Sequence, residues 1–232
     1  MKYFNLRAPD TERLWADHNK SSGEKTRVPC SVNPQHMGWN LRTSPLYLEV
    51  KHNSRKELMI WAWGVAIHND LAEQFKNEGF TGYQLKPAIV RFRDGTTSSA
   101  YQELVVTGWA GMVSRLSGME MTESCRGCHY RRYSAVKNYD NIIDWQQWSG
   151  EDFFYVYPFL AWRLCTERVA QFLIGHKVKS SWIEEGFDAL RRDSILSKYD
   201  VPVGDLNNFL PHDLAAKYGK QIGLERDALL KT

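Results

Sequence analysis

Hydrophobic and polar positions change rhythm several times along the chain of 232 residues, and each change predicts an element. Residues 1–6 alternate aromatic or aliphatic with polar side chains, the period-two pattern of a strand, here expected at a sheet edge. Residues 8–45 are polar and carry Pro29, Pro34 and Pro45, which predicts a long irregular segment. A loop of that length inside a compact domain needs tethering or a function. Residues 58–67 form an apolar run rich in Trp and β-branched residues, consistent with one buried strand. Asn69 then offers an N-cap, residues 70–76 read as a short helix closed by Gly79, and residues 80–92 return to strand character. Asp94-Gly95 is a turn signal, and residues 101–109 give a further strand.

The second half repeats the theme. Residues 153–157 and 160–165 are strand-like, Thr166 is placed to cap a helix over 167–173 that Gly175 would end, and 178–183 leads into another short element. At an offset of about 98 residues His68 matches Thr166, Leu71 matches Val169, Ala72 matches Ala170 and Phe75 matches Leu173. The tail carries Val201-Pro202-Val203-Gly204 and then a helix from Pro211, with Leu214, Ala215 and Tyr218 on one face. The predicted fold is α+β: mixed and antiparallel sheets with short helices, two similar strand–helix–strand halves and a C-terminal helical appendage. The halves are bounded as 1–120 and 121–232, or merged into one compact domain.

Composition narrows the function classes. At 43% hydrophobic and 25% charged the chain has ordinary globular composition, and its length suffices for a sizeable core. Thirty Lys and Arg against 27 Asp and Glu leave a net charge of +3, too balanced to argue for nucleic-acid binding by itself. Four cysteines do not make a disulfide framework in a chain this long. The first residues lack the apolar core of a secretory signal, and no run reaches the eighteen apolar residues of a membrane span. A reduced, cytoplasmic setting is the resulting expectation. Nine Trp and eleven Tyr serve either core packing or the anchors of a protein-binding surface.

Candidate chemistry centres on Cys125-Arg126-Gly127-Cys128. Such a turn aims two thiolates at one point, which suits a tetrahedral metal such as zinc. Cys30 offers a third ligand and His36 or His129 a fourth; the set carried forward is Cys30, His36, Cys125 and Cys128, pinning the long N-terminal segment to the middle of the chain. Two other readings stand beside it: unligated thiols in a turn, and a redox dithiol, although residues 117–124 do not resemble the buried strand that precedes thioredoxin-like sites. His18, His52, His68, His176 and His212 show no ligand spacing, and no nucleophile elbow or phosphate loop is present. Glu151-Asp152 and Glu184-Glu185 with Asp188 are acidic, but nothing sets one pair against the other as acid and base. No catalytic residue is assigned, and a non-enzyme is expected.

With Cys125-x-x-Cys128, the stretch Trp148-Ser149-Gly150-Glu151-Asp152-Phe153-Phe154 and the helix start Thr166-Glu167-Arg168 in view, residues 1–190 resemble the double-CxxCG family of myxobacterial-type immunity proteins. In that pattern the first motif is reduced here to Cys30, with Asn33 where its second cysteine would stand, and His129 replaces the Gly of the second motif. The resemblance implies a cytoplasmic bacterial immunity protein, without catalysis, membrane or nucleic acid. It would neutralise the cognate toxin domain of a polymorphic toxin system by direct binding. The alternative is a zinc-ribbon-like nucleic-acid-binding protein using Arg126, Arg131, Arg132, Tyr130 and Tyr133, since basic residues interleaved with aromatics suit single strands.

Overall fold

The computed structural model describes residues 1–7, 25–36, 39–42, 44–61, 64–178, 182–187, 201–203 and 205–224. In chain order the elements begin with β1 (Tyr3–Arg7), β2 (Lys25–Val28), β3 (Trp39–Arg42), β4 (Leu46–Glu49), β5 (Leu58–Trp61) and β6 (Gly64–His68). They continue with α1 (Asn69–Asn77), β7 (Tyr83–Arg91), β8 (Thr97–Ser98), β9 (Tyr101–Val106), β10 (Gly108–Met112), β11 (Met121–Ser124) and β12 (Arg131–Tyr133). The last are β13 (Phe153–Tyr157), β14 (Arg163–Thr166), α2 (Glu167–Gly175), β15 (Trp182–Glu185), β16 (Val201–Val203) and α3 (His212–Gln221).

Two larger sheets dominate, with orders β10-β13-β14-β1-β15 and β4-β7-β9-β6-β5, the latter with β8 added on β7. Both are mixed, because β10 runs parallel to β13 and β4 parallel to β7 while the other pairs are antiparallel. Together with the short helices this is the α+β architecture expected.

The repeat seen in the sequence extends through the tertiary structure. His68 pairs with Tyr101 and Leu85 with Leu104; 98 positions further on, Thr166 pairs with Tyr3 and Ile183 with Leu6. In each half the strand, helix and strand therefore flank an antiparallel central strand, β9 in one sheet and β1 in the other. The central strand β1 comes from the opposite part of the chain to complete the sheet of β14 and β15, whereas β9 lies in the same half as β6 and β7. This corrects the expectation of an edge strand for residues 1–6. Asn5 and Leu6 are buried because β1 is paired on both sides.

The helices match in detail. Both bury the same three positions, Leu71, Ala72 and Phe75 in α1 and Val169, Ala170 and Leu173 in α2. Both end in the same hydrogen-bond pattern, with Phe80 N–H donating to the Phe75 carbonyl and Val178 N–H to that of Leu173. The turn residue is left-handed in each, Gly79 at φ 66° and Lys177 at φ 52°. Gly175 therefore sits in the last turn of α2 and does not end it. The aromatic rings of Phe75, Phe80, Phe153 and Phe172 join the helices in one core, with Phe80 and Phe172 centroids 5.3 Å apart.

Several local expectations are revised. Residues 58–67 form two strands, β5 and β6, paired as a hairpin. The run 101–109 is also two strands: β9 ends at Val106, and β10 enters the other sheet. The crossing passes Gly82 and Gly108, where a side-chain Cβ would overlap the Phe153 carbonyl. The cap of α1 is His68, whose Nδ1 accepts from Asp70 N–H, not Asn69. The tail does pack on the body: β16 adds to β12, and Tyr218 stacks on Trp109 with centroids 4.7 Å apart.

Candidate metal centre

Two hairpins build the site. Strands β2 and β3 pair from Lys25–Arg42 to Val28–Trp39, and the loop beyond them carries Cys30 and His36. Strands β11 and β12 pair up to Ser124–Arg131, and their turn carries Cys125 and Cys128, closed by Cys125 N–H donating to the Tyr130 carbonyl at 2.8 Å. The four ligand atoms of Cys30, His36, Cys125 and Cys128 all lie within 4.8 Å of one another, a group able to hold a metal ion. The three thiols are buried, the His36 side chain is 10% exposed, and the Tyr130 ring stacks on His36 at 4.3 Å.

The donor set fits a tetrahedral ion. Cys30 Sγ lies 3.7 Å from Cys125 Sγ and 3.9 Å from His36 Nδ1, and Cys128 Sγ lies 3.6 Å from His36 Nδ1. Metal–sulfur bonds of about 2.3 Å and metal–nitrogen bonds of about 2.0 Å at tetrahedral angles require separations of about 3.5–3.8 Å. The orienting contacts fit too. His36 Nε2 lies 3.4 Å from Glu123 Oε1 and 3.2 Å from Asn33 Nδ2, contacts that hold the ring with Nδ1 facing the thiols. Cys30 Sγ accepts the N–H groups of Val32 at 3.4 Å and Asn33 at 3.3 Å. His36 brings a donor where Asn33 has none to give.

Electrostatics separate the thiols. Burial opposes ionisation of Cys30, but the Asn33 and Val32 N–H groups, helped by the Cys128 and Cys125 thiols, bring it down to about 6. Burial, with Cys30 and Cys125 alongside, pushes Cys128 up to about 12. Ion binding must therefore displace thiol protons, which makes it pH-dependent. Cys165 is apart from this group, buried in the main core, where burial raises its pKa.

Of the two candidate histidines the fold selects His36. His129 follows Cys128 in the left-handed region at φ 57°, so a histidine does adopt the turn that Gly would favour, and its Nδ1 faces Asp205 Oδ2 at 3.2 Å. Of the remaining histidines, His68 caps α1, His176 stacks on Phe172 and His212 contacts Asn207 Oδ1, while His18 lies outside the described residues.

The basic and aromatic residues of the alternative reading are mostly committed elsewhere. Tyr130 and Tyr133 are buried, and Arg131 donates to the carbonyls of Ile222 and Gly223. Trp109 is buried, and Trp145, Trp148 and Trp162 pack against a core cluster. Among the acidic residues Glu185 lies 3.9 Å from Lys2, and Asp188 lies outside the described residues.

A second node was not foreseen. Asp152 accepts from Thr81 N–H at 3.0 Å, from the Thr166 hydroxyl at 2.9 Å and from Arg168 Nη2 at 2.6 Å. Arg168 also donates to the carbonyls of Glu78 and Gly79 at the end of α1 and lies 4.5 Å over the Phe80 ring. Burial opposes its ionisation, yet Arg168, Thr166 and Thr81 hold Asp152 below the usual carboxylate range. Thr166 thus spends its hydroxyl on Asp152 and not on capping α2. The hint in sequence was the pair of motif segments, 148–154 and 166–168, that the node joins.

No family model matches the chain, and no curated protein matches it either. Among the described residues no helix is long and apolar enough to cross a membrane.

Proposed function

We propose that this protein is a zinc-clamped, non-catalytic immunity protein that acts in the cytoplasm by binding a cognate toxin domain and blocking its activity. The observation that carries the reading is the closed donor set of Cys30, His36, Cys125 and Cys128. Three thiols and an imidazole favour zinc over hard cations, and four protein ligands leave no open position for substrate. Zinc bound there supplies a cross-link between two hairpins and not a reaction centre. The resemblance to the double-CxxCG immunity proteins supplies the partner class, and its motif residues Asp152 and Arg168, braced by Thr166, serve the scaffold by bonding to Thr81, Glu78 and Gly79 of the other half. A rigid scaffold suits a protein whose work is a specific surface of the size stable complexes need.

The experiment is co-expression with the toxin encoded beside it. Activity of the toxin is expected to vanish at equimolar ratio, with the two proteins copurifying; toxicity unchanged by the protein overturns the reading.

A further inference from the structure

The hairpin that carries Cys125 and Cys128 is also the dock for the C-terminal tail. Strand β12 leaves the metal turn and pairs along its other edge with β16, Arg131 opposite Val203 and Tyr133 opposite Val201. His129, next after Cys128, faces Asp205 at 3.2 Å, with the two side chains 10% and 3% exposed. Asp205 in turn accepts Asn207 N–H at 2.9 Å and so starts the turn that leads to α3. Arg131 holds the other end of the tail through the Ile222 and Gly223 carbonyls at 3.1 and 2.9 Å. Backbone pairing, a buried polar contact and two carbonyl contacts thus all start within five residues of Cys128.

Tyr133 anchors the far end of β12 in the main core, but at the turn end little besides the metal ligands orders this hairpin. All four residues of β11 are exposed, and the cluster beneath the turn consists of Cys30, Cys125, Cys128 and Tyr130. Three of those four are proposed ligands, so without an ion the turn rests on one aromatic ring and three small thiols. The seam between turn and tail is loosely filled too, with a cavity of about 310 Å³ lined by His129, Asp205, Leu206, His212 and Leu224. Tail residues such as Leu206 and Tyr218 reach the main core, which keeps α3 tethered. The stretch nearest the turn depends most on β12 and His129.

We infer that metal occupancy and tail docking are linked: the ion orders the Cys125–Cys128 turn, and the ordered turn presents β12, His129 and Arg131 to residues 201–203 and 205–224. The inference rests on the reading that the four residues hold zinc. Linkage is reciprocal, so a docked tail must strengthen metal binding by the factor with which metal strengthens docking.

Hydrogen exchange on the full chain, with zinc bound or removed by chelator, tests this. Zinc removal is expected to speed exchange in peptides over 201–210 about tenfold or more, and to leave 153–166 unchanged, since β13 and β14 lie in another sheet. Asp205→Ala, which touches no ligand, is expected to weaken zinc binding about fivefold or more in competition with a chelator dye, a typical coupling. Tail exchange indifferent to zinc in a chain that binds it overturns the linkage and leaves the zinc reading intact. A chain that takes up no zinc overturns both. The exchange measurement decides the matter even where Asp205→Ala fails to fold.

Discussion

The thiol sulfurs of Cys30 and Cys125, 95 positions apart in the chain, lie 3.7 Å from each other in the interior. That separation matches an edge of a zinc–thiolate tetrahedron. The purified protein is expected to carry about one equivalent of zinc by elemental analysis. Cys125→Ser should lower the affinity by more than about 100-fold, beyond the loss typical for an orienting partner. His129→Ala should keep the stoichiometry, because His129 faces Asp205 and not the thiols. Zinc content unchanged in Cys125→Ser runs against the assignment.

Arg168 is the fastener between the halves, and Arg168→Ala leaves a buried carboxylate with only its Thr81 and Thr166 donors and takes the guanidinium from two helix-end carbonyls. Breaking a buried pair costs about 3–5 kcal/mol, but Arg168 is half-exposed, which reduces the expected loss to about 2 kcal/mol. In a chain of this size that is a fall in melting temperature of about 4–8 °C, read by calorimetry. Arg168→Lys should recover only part of it, since an ammonium cannot span both carbonyls and the carboxylate.

Acid should unfold the protein through its buried carboxylates. Asp205 is held at about 2, where burial would raise it, by hydrogen bonds from His129 and Asn207; Asp152 is also lowered. A depressed folded value means that the stabilisation is fully present above the unfolded pKa of about 3.9 and disappears as pH falls toward 2. For Asp205 the stake is about 2 kcal/mol. Thermal midpoints between pH 5 and 2.5 should drop steeply, and the part of the drop that belongs to Asp205 is read as the difference from Asp205→Asn, which should flatten it.

The internal repeat predicts a stabilising change. Lys177 holds the left-handed position that Gly79 holds at the end of α1, and glycine carries no Cβ penalty there. Lys177→Gly is expected to raise stability by about 0.5–1 kcal/mol in denaturant titration. Gly79→Lys should lose a similar amount, and a loss from Lys177→Gly instead would show that the lysine side chain holds the turn.

Some of this was legible beforehand because its causes are local. The helices expected over 70–76 and 167–173 follow from apolar spacing and form at 69–77 and 167–175, although neither Asn69 nor Thr166 makes the capping bond expected of it, and the offset of His68 from Thr166 is the register in which the two halves correspond. The Cys-x-x-Cys turn gave half of the donor set, and the other half came from asking which distant residues could complete a tetrahedron. Asp152 was visible only as an acidic residue in a motif. Its partners Thr81 and Arg168 are neighbours through packing, and no spacing along the chain encodes that.

By itself the sequence determined the strand–helix–strand halves and the candidate ligands, since hydrophobic period, turn residues and thiol spacing act over a few positions. Only the tertiary structure decided that β1 crosses to the sheet of β14 and β15, and it brought His36 among the thiols while turning His129 to Asp205. The physical reason is the same in both cases. Equivalent strands, or two histidines, satisfy the local chemistry equally well. The choice falls to long-range strand pairing and core packing, which prevail even where single polar atoms such as Asn5 Oδ1 and His129 Nε2 are buried without a hydrogen bond.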